Sequence, residues 1–243
     1  MHGRCAASRG EGLTDQRNRW ERSWAKPAED HNWFRARVEP IIAETAAQPD
    51  FPPGVAVDVG CGAGGVTRFL GERFPVAIGL DLALGAVELA RERSRGDHTA
   101  FGVSDACMLP IRDGGAALVV DRGCLHCLSV ATASRYLHEV ARVLSPGGRF
   151  VLIARMTPAR PPLGWVLRHP RGAPKQLLPR IRRNPPGSLA RVLSSCDRVV
   201  AFLPASLVIE HIERDRLLSD AGWHLKHLRL VARRVPNAPG IQG

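Results

Sequence analysis

Short apolar segments alternate with longer amphipathic ones along the first two thirds of the chain, and this alternation most narrows the possible folds. The spacing of apolar residues predicts helices over 64–73, 84–95 and 131–144. The intervening segments have the length and β-branched content of buried strands, and they are Val55–Val59, Val76–Leu80, His98–Val103, Ala116–Val120 and Arg149–Ile153. Strands that alternate with helices build right-handed βαβ units around a parallel sheet. The sequence therefore predicts an α/β fold.

The first predicted strand runs directly into a glycine-rich turn at residues 60–65. Glycine lets a backbone approach a ligand closely, and open parallel sheets bind ligands at the carboxyl ends of their strands. The turn also satisfies G-x-G-x-x-G, a pattern typical of dinucleotide-binding proteins. However, Asp58 places a carboxylate just before the glycines, where it would attract a cationic ligand and repel a pyrophosphate. Charge therefore favours a cationic ligand over NAD.

Motifs in the predicted core resemble, in order and spacing, those of class I S-adenosylmethionine-dependent methyltransferases of the small-molecule type. The motifs are residues 58–64, Gly79-Leu80-Asp81, Ser104-Asp105-Ala106 and residues 144–148. The resemblance covers roughly residues 55–155. It implies a three-layer αβα sandwich with a mostly parallel sheet of six to seven strands, ending in an antiparallel hairpin. It also implies S-adenosyl-L-methionine as cofactor and methyl transfer to an O, N or S nucleophile.

The resemblance assigns the cofactor site to residues that follow the predicted strands. Asp58 would face the cationic amino-acid end of the cofactor, Asp81 would accept both ribose hydroxyls, and Asp105 would accept from the adenine amine. Cys61 would contribute its backbone N–H. The complete predicted set is Asp58, Gly60, Cys61, Gly62, Gly64, Asp81, Leu82, Asp105, Ala106, Asp121 and Arg122.

The loop after the fourth strand, residues 121–127, is expected beside the methyl that is transferred. Its start, Asp121-Arg122-Gly123, resembles the same loop in thiopurine- and thiol-type small-molecule methyltransferases. His126 is the candidate catalytic residue, a general base, because an imidazole titrates near neutral pH. Packing of His126 over the cofactor is the alternative. Cys124 and Cys127 have no second Cys/His pair in the sequence, so no metal site is predicted.

The net positive charge of the chain comes entirely from its last third. Acidic and basic residues balance over 1–154, and the whole net charge of +11 lies in residues 155–243. Arg160 and Arg168 are candidate contacts to an anionic substrate, as are Trp20 and Trp24 in a lid over the site. The arginines could instead follow an RNA backbone or form a solvated surface. Trp165 is the only aromatic residue among the basic residues of 155–198. Because base stacking therefore has little support, a small-molecule acceptor is favoured and a nucleic-acid partner is not.

The length of 243 residues and the 44% hydrophobic content fit a single domain. We expect an N-terminal helix or lid at 1–50 and a cofactor-binding core at 51–155. A Pro/Arg-rich cap inserted after strand five at 156–200 would precede a C-terminal helix and edge strand at 201–243. The helix is predicted over 207–221 and the strand over 224–233, while a further helix is predicted over 31–48.

The sequence has no apolar run near the roughly 18 to 20 residues that a membrane span needs. Its polar, Arg-rich start does not resemble a secretory signal, so we expect a cytoplasmic protein with reduced thiols. Other functions stay open: an RNA (tRNA or rRNA) methyltransferase, an NAD-dependent oxidoreductase, or a cofactor-binding protein without catalysis. The sequence does not define an oligomeric state.

Overall fold

A computed structural model describes residues 12–28, 37–94, 96, 98–155, 199–218 and 224–236. Helices and strands follow one another in the predicted alternation. The helices are α1 (Leu13–Trp24), α2 (Pro40–Ala46), α3 (Gly65–Gly71), α4 (Leu84–Arg93) and α5 (Val130–Val143). The strands are β1 (Val55–Val59), β2 (Ala77–Asp81), β3 (Thr99–Val103), β4 (Ala116–Arg122), β5 (Leu144–Arg155), β6 (Leu207–Leu218) and β7 (His224–Arg234).

The strands form one seven-stranded sheet in the order β3-β2-β1-β4-β5-β7-β6. Strands β1 to β5 pair in parallel, whereas β7 runs antiparallel to both β5 and β6. This topology confirms the predicted α/β class and the mostly parallel sheet. The strand order reverses between β1 and β4, so the carboxyl ends of these two strands border the crevice where open α/β sheets bind ligands.

Two apolar cores lie on opposite faces of the sheet, because successive side chains of a strand point to opposite sides. In β1, Val57 and Val59 belong to the core that α5 covers. Ala56, between them, belongs to the core that α2 and α3 cover. The chain therefore forms the predicted three layers, with the sheet in the middle.

The C-terminal helix predicted over 207–221 is wrong, because this segment contains β6. Its β-branched residues Val208, Ile209 and Ile212 favour extended backbone over helix, and β7 supplies an antiparallel partner along its whole length. The strand predicted over 224–233 was expected at the edge of the sheet, and this position is also wrong. β7 lies between β5 and β6 and is an interior strand, so β6 forms this edge of the sheet.

The helix predicted over 31–48 is much shorter in the described residues, where α2 begins at Pro40. Proline lacks an N–H and is tolerated in the first turn of a helix but not in its interior, so it marks a start here. The strand predicted at Arg149–Ile153 begins earlier, so residues 144–148 of the last motif are also part of β5, with an irregular register against β4. Gly147 takes a φ of +86° there.

A buried arginine connects the β6–β7 hairpin to β5 at the end of the sheet opposite the ligand crevice. Arg149 on β5 donates to both carboxylate oxygens of Asp50 at 2.9 Å, and its Nε donates to Glu210 of β6 at 3.0 Å. Arg233 of β7 also donates to Asp50, at 2.8 Å. These charges hold β5, β6 and β7 together below the site.

Part of the predicted organisation lies outside the described residues. The predicted cap falls there almost entirely, including Arg160 and Arg168. Among the described helices, none combines the length and the apolar character needed to cross a membrane.

Candidate active site

The glycine-rich turn after β1 is held by the neighbouring strand and by left-handed backbone. The amides of Gly60 and Cys61 both donate to the carbonyl of Leu80, at 2.7 and 3.0 Å. Gly60, Gly62 and Gly64 have φ values of +73°, +53° and +73°, a conformation that side chains disfavour. The turn therefore requires glycine at each of these three positions.

Close neighbours also exclude side chains from the turn. A Cβ on Gly60 would lie 3.1 Å from the Cβ of Cys124, and one on Gly64 would lie 2.8 Å from the ring of Phe101. The backbone of the turn is thus packed between the loop after β4 and the sheet. This arrangement forms the cradle that the glycine motif predicted.

Asp81 ends β2 beside the turn, and it is partly exposed. Its Oδ2 accepts from the amide of Gly62 at 3.0 Å, and its Oδ1 accepts from the amide of Ala83 at 3.0 Å. Burial raises the pKa of Asp81, against the opposing effect of these amides. Leu82 follows as a partly exposed residue. The structure therefore brings Asp81 and the turn together, as predicted from the two separate motifs.

Asp58 lies beneath the turn and is only 2% exposed. Its Oδ2 accepts from the hydroxyl of Thr67 on α3 at 2.7 Å. Burial raises the pKa of Asp58 to about 6, while Thr67 and the cationic Arg122 act in the opposite direction. Asp58 thus ties β1 to α3, and its low exposure favours an electrostatic effect on a ligand over direct contact.

Asp105 follows β3 at the same edge of the sheet and is partly exposed. Its Oδ1 accepts from the amide of Cys107 at 2.9 Å, which fixes the local turn. The amide of Ser104 donates to the carbonyl of Asp81 at 2.8 Å, so this turn is attached directly to the end of β2. Ala106 packs against the core on the α5 side. Asp105 and Asp81 therefore flank one crevice, as predicted.

Asp121 and Arg122 were predicted to bind the cofactor, but both side chains bind groups of the protein itself. Asp121 is fully buried, and it accepts from the amides of Gly123, Cys124 and Leu125 at 2.9, 2.7 and 2.9 Å. Arg122 donates through its Nε to Glu39, at 2.7 and 3.0 Å. The structure therefore gives Asp121 the task of folding its own loop and Arg122 that of attaching the segment before α2.

His126 lies in a short 3₁₀ turn at Leu125–Cys127, next to the carboxyl end of β5. Its Nδ1 accepts from the amide of Arg155 at 3.3 Å, which leaves the ring proton on Nε2. Burial, reinforced by the cationic Arg155 and by His227, lowers the pKa of His126 to about 3. A group that binds a proton so weakly is a poor general base at neutral pH. These observations argue against the predicted catalytic role.

We expect His126→Asn to retain activity within about threefold, because the Asn side chain still offers an acceptor to the Arg155 amide. Loss of a true general base would cost about 10²- to 10⁴-fold. The comparison uses kcat for the two proteins at several pH values between 5 and 8. A hundredfold fall in kcat, with an intact fold and intact cofactor binding, would restore His126 as the base.

The N-terminal helix α1 lies against this same edge, as the lid hypothesis expected for Trp20 and Trp24. A Cβ on Gly62 would lie 3.0 Å from Cζ2 and Cη2 of Trp24, so this indole covers the turn. Trp20 stacks with Arg19, whose Cζ lies 5.5 Å from the ring centroid. The structure thus brings Trp24 to the glycine turn.

The raised pKa values of two buried carboxyls, Asp58 and Asp121, predict how the stability of the fold changes with pH. Burial raises the pKa of Asp58 and of Asp121 to about 6, whereas an unfolded Asp titrates near pH ~4. Between pH ~4 and ~6 the folded state therefore binds more protons than the unfolded state. The free energy of unfolding should fall as pH rises from about 4 to 6, by up to about 1.4 kcal/mol per pH unit for each group.

Urea unfolding at half-unit pH intervals measures this slope. Asp58→Asn should remove one group's share of it, so an unchanged slope in that variant would contradict the assignment. Asp50 and Glu139 act in the opposite direction, since their arginine partners lower their pKa values. Their contribution is present above the ordinary carboxylate pKa of about 4 and is lost as the pH falls below it, so the two effects act mainly on opposite sides of that pH.

The donor set of the crevice suits a cation. Carboxylates lie near the carboxyl ends of three adjacent parallel strands, as Asp58 in β1, Asp81 at the end of β2 and Asp105 after β3. A dinucleotide pyrophosphate would be repelled by such a set. In the described part of the chain, no three His, Cys, Asp or Glu side chains come together as metal ligands. The residues present therefore fit a ligand with a sulfonium and an ammonium group.

Comparison with known sequences supports this assignment. Residues 57–152 match the family described as a methyltransferase domain. The chain is 30% identical over 133 residues to 2-heptyl-1-hydroxyquinolin-4(1H)-one methyltransferase of Mycobacteroides abscessus, covering 54% of this chain and 58% of the relative. It is 35% identical over 104 residues to the chloroplastic tocopherol O-methyltransferase of Arabidopsis thaliana, covering 40% and 29%. The chain thus spans less than two thirds of either relative.

Solved structures share the whole architecture at low sequence identity. A structure described under the conversion of a disulfide bond into a thioacetal group during echinomycin biosynthesis has a TM-score of 0.67 and 19% identity, covering 92% of this chain and 94% of that one. A SAM-dependent methyltransferase from Anabaena variabilis has a TM-score of 0.65 and 16% identity, covering 90% and 95%. Residues 57–152 therefore match a methyltransferase domain, and the chain shares its fold with solved S-adenosylmethionine-dependent methyltransferase structures.

Proposed function

We propose that the protein is an S-adenosylmethionine-dependent methyltransferase that acts on a small molecule. One observation carries this proposal: the left-handed glycine turn, Asp81 and Asp105 all lie at the carboxyl ends of the adjacent strands β1, β2 and β3. The methyltransferase family match over residues 57–152 covers all of these elements.

In this proposal the chain holds the cofactor by the groups that border the crevice. Asp81 accepts the ribose hydroxyls, and Asp105 accepts from the adenine amine. Asp58 contributes negative potential from below. S-adenosylmethionine supplies a methyl group activated by the positive charge on sulfur.

The chemistry required of the protein is mainly alignment. Orienting a nucleophile in line with the methyl and the sulfur removes much of the barrier, because the entropic cost is met during binding. Trp24 covers the turn and would exclude water from the crevice. The neutral His126 stands beside Arg155 at the far side of the site, where it can donate through Nε2 to an acceptor.

The acceptor is inferred to carry its reactive hydroxyl on a largely apolar small molecule. Both relatives described above are named for small-molecule acceptors, and one is named as an O-methyltransferase. Neither name refers to RNA, so a tRNA or rRNA acceptor is not favoured.

Calorimetry and product analysis together test the proposal. S-adenosylhomocysteine should bind with one site per chain, and NAD should not bind. Incubation with S-adenosylmethionine and a panel of phenols, N-hydroxyquinolones and fatty acids should release S-adenosylhomocysteine with at least one hydroxyl compound. Binding of NAD in preference to S-adenosylhomocysteine would contradict the proposal, as would binding without turnover on any acceptor class, RNA included.

A further inference from the structure

A glutamate on α1 caps the N-terminus of α4, a helix that begins more than sixty residues later in the sequence. Glu21 Oε1 accepts from the amide of Leu84 at 2.7 Å, and its Oε2 accepts from the amide of Gly85 at 3.1 Å. These are the first two residues of α4, and the first amides of a helix have no partner within it. The N-cap residue Ala83 offers no side chain for them. Glu21 therefore supplies the missing cap from another element.

The same turn also carries the carboxylate assigned to the cofactor ribose. Asp81 accepts from the amide of Ala83, so two carboxylates bind three successive amides, those of residues 83, 84 and 85. The negative charge of Glu21 is among the influences that raise the pKa of Asp81, after burial itself. The contact of α1 is thus made next to the candidate ribose site and not at a remote part of the surface.

Trp24 lies one helical turn after Glu21, on the same side of α1. Residues three apart on a helix are neighbours on its surface. The Cβ of Trp24 approaches the position of a Cβ on Gly85 to 3.5 Å, while its ring covers Gly62. One short stretch of α1 therefore spans the crevice, from the start of α4 to the glycine turn.

We propose that Glu21 is a positioning residue that latches α1 onto the start of α4 and so holds Trp24 over the bound cofactor. This inference rests on the proposed function of the crevice. The two hydrogen bonds are charge-assisted and favoured by the helix dipole, yet they lie near the surface, so they can open and close. Cofactor then leaves after Glu21 releases the two amides. Glu21 sets the residence time of the cofactor without touching it.

The dissociation rate of S-adenosylhomocysteine from the full chain, measured by stopped-flow displacement, tests the latch. Glu21→Ala should raise this rate about tenfold, as expected for loss of a cap, and change the association rate little. Glu21→Gln keeps one acceptor oxygen and should fall between Glu21→Ala and the wild type. Asp15→Ala removes an exposed carboxylate from the same helix and should leave the rate unchanged.

A double variant separates the latch from a purely structural role. Trp24→Ala should also raise the dissociation rate, and adding Glu21→Ala to it should raise the rate little further, because both act through one closed position of α1. Fully additive effects would overturn the proposal, as would a Glu21→Ala protein whose melting temperature falls while its dissociation rate stays at the wild-type value. Failure of the wild type to bind S-adenosylhomocysteine would instead overturn the proposed function and the latch together.

Discussion

Asp81→Ala is expected to weaken S-adenosylmethionine binding about 100-fold, which corresponds to the loss of hydrogen bonds between a carboxylate and two hydroxyls. The side chain ends β2 at the open crevice, and two amides already orient it, from Gly62 and Ala83. A preoriented, partly buried carboxylate binds hydroxyls without first losing conformational freedom. Isothermal titration calorimetry with S-adenosylmethionine measures the effect.

The control must separate lost contacts from a loosened turn, since Asp81→Ala also frees the amide of Gly62. Asp81→Asn keeps the shape and one acceptor oxygen, so it should hold the turn and still lose about tenfold in affinity. Asp113→Ala, at a side chain that is 82% exposed, should change nothing. Affinity within twofold of the wild type for both Asp81 variants would remove Asp81 from the ribose assignment.

The parallel half of the sheet could be predicted because its information is local. Val55–Val59 is apolar, β-branched and followed by glycines, and the structure has a strand with these same bounds. The first strand of the C-terminal hairpin was mispredicted as a helix, because the strand state of residues 207–218 depends on pairing with β7. Periodicity within one segment carries no information about such a partner.

The site shows the same division between local and distant information. Asp81 and Asp105 each follow a predicted strand, and the parallel topology brings them to one crevice. Glu21 was missed, since nothing in the sequence around it indicates a contact with α4. Asp121 was predicted to bind the cofactor, but its side chain binds the amides of its own loop. A sequence shows that a carboxylate is present, whereas the direction of its side chain depends on the packing around it.

Asp121→Ala is expected to lower the free energy of unfolding by about 3 kcal/mol, because it leaves buried amides without an acceptor. The carboxylate is 0% exposed. It is ionised at neutral pH, since its pKa is raised by burial only to about 6. An ionised carboxylate accepts only, and can therefore take all three amides of the loop at once. No water replaces it in a closed apolar core.

Two further variants make this prediction sharp. Asp121→Asn keeps one oxygen, enough for the amides of Gly123 and Cys124, but presents an NH₂ group to the amide of Leu125. It should therefore lose about 1 to 2 kcal/mol, less than Asp121→Ala. Asp113→Ala again serves as the exposed control. Urea unfolding at about pH 7.5, roughly one to two units above the pKa of this carboxyl, keeps the Asp121 side chain of the folded state mostly ionised. Equal losses for Ala and Asn, or a loss below about 1 kcal/mol for Ala, would show that the loop is held by its apolar contacts, chiefly Leu125, and not by the carboxylate.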